Sequence, residues 1–117
     1  MKTSPQQLAL ALRAISFIAT RYHVTLEDLE GHNREWRIVW PRWLAIHLVR
    51  NYTSLPLPKI GLLFDRHRDG IRHALTGVER QVQTSCVHGV EVVHLLNAWQ
   101  SAIGNNKRSH GEKDAKA

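Results

Sequence analysis

Residues 57–82 read LPKIGLLFDRHRDGIRHALTGVERQV, and this stretch decides the predicted fold. Apolar residues recur at helical spacing in two runs, which a polar break too short for a strand separates. The first run is Leu57, Ile60, Gly61 and Phe64, and the second is Ile71, Ala74, Leu75, Val78 and Val82. Pro58 suits the first turn of a helix, where its missing N–H costs nothing. The stretch therefore predicts two helices joined by a tight turn, a helix-turn-helix over residues 57–83.

The second helix of such a motif can lie in the major groove of DNA. Its start carries Arg68, Asp69, Arg72 and His73. An arginine can bond guanine through two hydrogen bonds, and an aspartate can accept from cytosine. The alternative at this point is an ordinary helical hairpin with a solvated charged face.

The charge of the chain favours an anionic partner. The 117 residues are 43% hydrophobic, which suits one domain with one core, and the net charge is +6. Nucleic acid is the first expectation for such a partner and an acidic membrane the second. Between residues 34 and 80, nine Lys and Arg face four Asp and Glu. This clustering around the predicted motif indicates a binding face.

Cysteine use and hydropathy indicate a cytoplasmic protein. Cys86 is the only cysteine, so no intramolecular disulfide is possible. Arg13 and Arg21 interrupt the apolar N-terminal run, which does not resemble a signal peptide. No run approaches the roughly 20 apolar residues of a membrane span. Of the two anionic partners considered, we expect nucleic acid and no membrane.

The remaining periodicity predicts an all-α protein of five to six short helices. Helices are expected near residues 6–22, 25–30, 41–52, 57–64, 68–83 and 88–103. The predicted buried stripe of the first helix is Leu8, Ala11, Leu12, Ile15, Ala19 and Tyr22. Gly31 is expected to end the second helix in a left-handed cap, and Pro41 to begin the third. Residues 1–103 are predicted to form a single domain, and residues 104–117 a disordered polar tail.

No catalytic or metal-binding motif stands out. Glu91 and His94 form one E-x-x-H without a second copy, and Cys86 and His88 have no partner pair for zinc. The chain contains no phosphate-binding glycine loop and no nucleophile elbow. We therefore expect no enzyme activity, no cofactor, no metal and no small-molecule substrate.

Two further features have competing interpretations. Trp36, Trp40 and Trp43 could stack on unpaired bases, or they could pack a small core. Arg34 and Arg37 lie in a basic loop ahead of the third helix, which could reach a phosphate backbone or a minor groove, or be simply solvated.

Four stretches of the chain together resemble a known family. They are IATRYHVTLEDL (18–29), REWRIVWPRWLAIHLVRNYT (34–53), LPLPKIGLLF (55–64) and RHRDGIRHA (66–74). This pattern is similar to the C-terminal DNA-binding domain of DnaA, the bacterial replication initiator. The last stretch stands where that family has an arginine-aspartate-histidine-threonine-threonine signature. The resemblance implies a TrpR-like, DnaA C-terminal fold and binding of double-stranded DNA.

The resemblance also implies individual roles. Arg34 matches a loop arginine that enters the minor groove, and Arg66 matches the signature arginine. It places His67, Arg68, Asp69 and Gly70 at base-reading positions, to which we add Arg72 from its place at the start of the same predicted helix. The residues expected at the minor groove or the DNA backbone are Arg34, Arg42, Arg50, Pro58, Lys59 and Arg66, with Arg37 added because it lies in the same basic loop as Arg34.

The chain departs from the family at the motif itself. Asp65 alone replaces two glycines before the signature arginine, and the base-reading residues differ, so a different base sequence is expected. We expect a stand-alone DNA-binding protein without an ATPase domain that controls transcription or replication. A protein-interaction module and a single-stranded nucleic acid binder remain alternatives.

Overall fold

Six α-helices form the fold of the described residues. The computed structural model describes residues 5–116, with side chains described for residues 5–104. The helices are α1 (Pro5–Tyr22), α2 (Leu26–Glu30), α3 (Trp36–Tyr52), α4 (Leu57–Leu63), α5 (Arg68–Thr84) and α6 (Cys86–Lys116). No strand occurs among the described residues. The predicted all-α class with a helix-turn-helix is confirmed.

The chain divides into two compact units, and the division falls within α5. The first unit ends at Gln81 and the second begins at Val82. In the first unit α3 packs against α1, α2 and α4, and α1 also packs against α2. All residues predicted to contact DNA lie in this first unit. The single domain over residues 1–103 stays a prediction.

The buried face of α1 differs from the predicted stripe. Its buried residues are Ala11, Ala14, Ile15 and Ile18. Leu8 is 39% exposed and Leu12 is 51% exposed, so their predicted burial is wrong. The small alanines allow close approach of a neighbouring helix, and the larger leucines turn outward. Leu8 instead lines a shallow apolar pocket beside Leu55 and Leu62.

Helix α3 begins at Trp36, so the predicted start at Pro41 is wrong. Asn33 Oδ1 accepts a hydrogen bond from the amide of Glu35, the N-cap residue, at 2.8 Å. Pro41 lies inside the helix and is buried, as is Trp40. A proline in a helix interior costs about 3 kcal/mol, because one backbone hydrogen bond is lost. Trp40 and Pro41 are both buried, and apolar burial of this kind stabilises the helix in a way that a rule based on two neighbouring residues does not consider.

Helix α6 is longer than predicted at both ends. It begins at Cys86 and runs on to Lys116, past residue 104, where the sequence predicts a disordered tail. No proline follows residue 58 to stop a helix once it has formed. The described residues do not include residues 1–4, which begin the predicted domain. They also do not include Ala117, which ends the predicted tail. Across the part of the chain described, no helix combines the length and the apolar character that crossing a membrane requires.

Candidate nucleic-acid interface

The turn between α4 and α5 closes tightly on Gly61. The amide of Arg66 donates to the carbonyl oxygen of Gly61 at 2.7 Å. A Cβ atom on Gly61 would lie 2.2 Å from the carbonyl oxygen of Arg66, closer than real Cβ contacts occur. Asp65 takes a left-handed conformation with φ of 55°, which aspartate adopts more readily than most residues. The helix-turn-helix therefore depends on the absence of a side chain at position 61.

A small polar network occupies the start of α5. The amide of Asp69 donates to Nδ1 of His67 at 3.1 Å, and Arg72 Nη1 donates to Asp69 Oδ1 at 3.4 Å. The Asp69 carboxylate also lies 3.5 Å from His67 Nδ1, a distance that fits an ion pair. All three side chains are exposed.

Arg68 and Gly70 occupy different surroundings on the same helix turn. Arg68 is exposed and Gly70 is half-buried. A Cβ atom on Gly70 would lie 3.7 Å from Cβ of Arg66. Position 70 therefore faces the preceding turn. Its role in reading a base stays a prediction, as do those of His67, Arg68, Asp69 and Arg72.

Arg66 turns back onto the end of α2. Its Nη1 donates to the carbonyl oxygens of Phe64 at 2.7 Å and Glu30 at 3.2 Å. Its Nη2 donates to the carbonyl oxygen of Gly31. These donors are occupied by the protein's own backbone, so Arg66 connects the helix-turn-helix to α2.

Arg42, on α3, donates hydrogen bonds to the same end of α2 and to the loop that follows it. Its Nε donates to Leu29 O at 3.1 Å, its Nη1 to Asn33 O at 3.0 Å and its Nη2 to Asp28 O at 2.8 Å. The residue is only 5% exposed. We therefore revise the predicted contact of Arg42 with the DNA backbone, because its guanidinium is buried and each of its three nitrogens already donates to a carbonyl oxygen.

The two arginines together bind the end of α2, and we call this arrangement the α2 clamp. In it, the guanidiniums of Arg42 and Arg66 donate hydrogen bonds to the carbonyl oxygens of residues 28–31. The last carbonyls of any helix lack partners within the helix. The predicted left-handed cap at Gly31 is wrong, since its φ is −78°. Arginine donors from two other elements satisfy the carbonyls instead. At the other end of α2, Thr25 and Asp28 form a capping box.

The α2 clamp places two positive charges close together. Burial lowers the pKa of Arg42. The positive charge of Arg66 lowers this pKa further, and the negative charge of Asp28 raises it. Burial likewise lowers the pKa of Arg66, and the neighbouring Asp65 raises it. Both guanidiniums remain charged at neutral pH, because an arginine loses its proton only in strongly alkaline solution. The carbonyl dipoles at the end of α2 favour this positive charge.

The loop that carries Arg34 is held on both of its sides. Arg42 binds the carbonyl of Asn33 directly before it, and the Asn33 side chain caps the amide of Glu35 directly after it. Arg34 itself is exposed. Arg37 lies on the first turn of α3, where its exposed side chain pairs with Glu35 at 3.2 Å.

The other predicted backbone contacts lie toward the opposite end of α3. Arg50 is exposed in its last turn, and Pro58 and Lys59 are exposed in the first turn of α4. Thirteen residues separate Arg37 from Arg50, about 20 Å along a helix axis. The structure thus divides the exposed basic residues into two groups, one near each end of α3.

The tryptophans pack against one another between α3 and α5. Trp36 stacks on Trp40 with ring centroids 5.5 Å apart, and Trp43 meets Trp36 and His73 edge-on at 5.6 and 5.7 Å. A Cβ atom on Gly77 would lie 2.3 Å from the ring of Trp43, so α5 receives this ring at a glycine. Trp40 is buried, whereas Trp36 is 46% exposed. Packing is therefore the observed use of Trp40 and Trp43.

Sequence reasoning missed the residues that hold the interface together. Asn33 and the carbonyls of residues 28–31 carried no signal, because backbone acceptors are identical in every sequence. The burial of Arg42 could have been inferred from its position in the apolar surroundings of residues 38–49. The histidines, which the sequence singled out, do not converge: across the described residues no group of three His, Cys, Asp or Glu is placed to hold a metal ion.

Comparison with known proteins matches the part of the chain that builds this interface. The model of a family described as the bacterial dnaA protein helix-turn-helix matches residues 13–78. The chromosomal replication initiator protein DnaA of Limosilactobacillus fermentum is 36% identical over 85 residues, 72% of this chain and 19% of that protein. That of Desulfatibacillum aliphaticivorans is 38% identical over 76 residues, 64% of this chain and 17% of that protein. That of Latilactobacillus sakei is 35% identical over 96 residues, 81% of this chain and 21% of that protein. The chain spans about a fifth of the length of these relatives.

Proposed function

This chain belongs to the family of the bacterial DnaA helix-turn-helix, and from that premise we propose that it binds double-stranded DNA with the start of α5 in the major groove. Binding is the whole of the proposed activity and requires no cofactor. We place it in the cytoplasm, at the nucleoid, where it controls replication or transcription by occupying its sites.

One observation carries the proposal: the exposed Arg34 and Arg68 belong to separate segments, and the α2 clamp ties both segments to the end of α2. Arg34 directly follows Asn33, whose carbonyl binds Arg42, and Arg68 lies two residues after Arg66, which binds the carbonyls of Glu30 and Gly31. Arg34 lies three residues from Gly31, and a fully extended chain spans at most about 11 Å over that distance. This proximity supports joint use of Arg34 in the minor groove or on the backbone and Arg68 on base edges.

Exposed basic residues on other elements support further contacts with the DNA backbone. These are Arg37 near one end of α3 and Arg50 near the other. With Lys59, these residues would neutralise phosphates and set the register, and base reading would fall to the residues at the start of α5.

The base sequence recognised should differ from that read by the initiator. His67, Arg68, Asp69 and Gly70 stand at positions where the family signature has other donors and acceptors. The bond from Arg72 to Asp69 also orients that carboxylate. We propose that the chain selects its own short site. The test is selection of bound duplexes from a random pool at two salt concentrations.

Replacing Arg68 should relax that selection at one base pair. We expect Arg68→Ala to lose about 1–3 kcal/mol of binding free energy on the selected site, because a bonded base edge loses its partner. Affinity and base preference are measured together by repeating the selection with the variant. Arg21→Ala removes the same charge from an exposed position on α1 and should leave the preference intact. An unchanged preference in Arg68→Ala would refute its base-reading role.

Replacing Lys59 should weaken binding to all duplexes alike. A lost phosphate contact releases one counterion fewer, so for Lys59→Ala the slope of log affinity against log salt should flatten by about 0.9. The slope is measured by titrating one duplex at several salt concentrations, and Lys59→Arg should retain it. If neither variant binds duplex less strongly at higher salt, while both still capture a protein partner, the interaction-module alternative would be favoured.

A further inference from the structure

The geometry of the α2 clamp extends beyond the helix that it caps. Of the three hydrogen bonds that Arg42 makes, two go to α2, and the third goes to the carbonyl of Asn33 at 3.0 Å in the following loop. That carbonyl belongs to the peptide bond that joins Asn33 to Arg34. The orientation of this peptide is therefore set by a buried guanidinium and not by the loop alone.

The Asn33 side chain completes the restraint. Its Oδ1 accepts from the Glu35 amide at 2.8 Å, and its Nδ2 donates to the Glu35 carboxylate at 3.4 Å. Arg34 thus lies between two hydrogen-bonded peptides, although its own side chain is exposed. An exposed loop without such restraints would have to lose backbone conformational entropy on binding, and this loss weakens the complex.

We propose that Arg42, together with Asn33, is a positioning residue for the DNA contact of Arg34. Arg42 acts through Asn33 and does not touch DNA, as its burial requires. The inference rests on the proposed function, since it assigns the pre-ordering of one contact in that interface. The inference also assigns different roles to the two arginines of the α2 clamp. Arg66 restrains the turn before Arg68, and Arg42 restrains the loop before Arg34.

A double-mutant cycle on the full chain tests this assignment with the selected duplex as the ligand. Arg34→Ala alone should weaken binding about tenfold, the effect of losing one good contact. Arg42→Lys keeps the charge but not the planar fork that reaches three carbonyls. In the Arg42→Lys background we expect Arg34→Ala to weaken binding less than threefold. Arg68→Ala should weaken binding to the same extent in both backgrounds, within about twofold, as independent sites do.

The Arg68 cycle is the internal control for a general loss of stability, which would change both cycles alike. Asn33→Ala provides a second variant if Arg42→Lys does not fold, because Asn33 is exposed. It should reduce the effect of Arg34→Ala in the same way. Equal losses for Arg34→Ala in all backgrounds would overturn the positioning role but leave the proposed function standing. If neither Arg34→Ala nor Arg68→Ala weakened binding in the otherwise unchanged chain, the proposed function itself would fail.

Discussion

Gly61→Ala is expected to lower the free energy of unfolding by about 3 kcal/mol or more, at the upper end of what overpacking costs. The added methyl carbon would lie 2.2 Å from the carbonyl oxygen of Arg66 and 3.3 Å from its carbonyl carbon. Both are backbone atoms, so no rotamer change can relieve the overlap. The turn must open, and the hydrogen bond from the Arg66 amide to the Gly61 carbonyl is lost with it.

Urea denaturation followed by circular dichroism measures this loss. Gly104→Ala is the matched control, since no described atom outside its own helix turn lies within 4 Å of the added carbon. That change should stabilise the chain by about 0.5–1 kcal/mol, as expected for alanine in place of a helical glycine. A Gly61→Ala variant as stable as the parent would mean that the turn is not as closely packed as described.

Arg42→Met is expected to cost about 3 kcal/mol of stability. Methionine is also a long, unbranched chain, but it leaves the carbonyls of Asp28, Leu29 and Asn33 without their donor. A hydrogen bond to a charged group contributes about 1.5–3 kcal/mol, and the bond to Leu29 is buried. The loss should be seen first where α2 meets α3, because no left-handed cap at Gly31 is present to replace the arginine.

Thermal unfolding gives the overall change, and amide hydrogen exchange over residues 26–35 locates it. Arg21→Met removes an exposed arginine from α1 and should change stability by less than about 0.5 kcal/mol. If Arg42→Met behaved as Arg21→Met does, the carbonyls at the end of α2 would not depend on the α2 clamp.

Particular elements show how far the sequence predicts the fold and the interface. The helix-turn-helix was predictable because its information is local: two apolar stripes at helical spacing, a polar break and Pro58 in a first turn. The start of α3 was not predictable in this way. The residue before a proline tends to avoid helical backbone angles, but this rule considers only two residues, and the burial of Trp40 and Pro41 outweighs it. The stripe of α1 was displaced for a similar reason, since periodicity finds an apolar face but not which neighbour covers it.

The sequence by itself determined the helical class, the family and the position of the motif, because these follow from short-range spacing and from residue types along one stretch. Only the tertiary structure decided what each arginine does. Positions 42 and 68 carry the same residue type. Arg42 is only 5% exposed and binds backbone carbonyls, whereas Arg68 is exposed at the start of α5. A guanidinium binds whichever acceptors the fold brings to it, and the acceptors at the end of α2 are peptide carbonyls that no residue type announces.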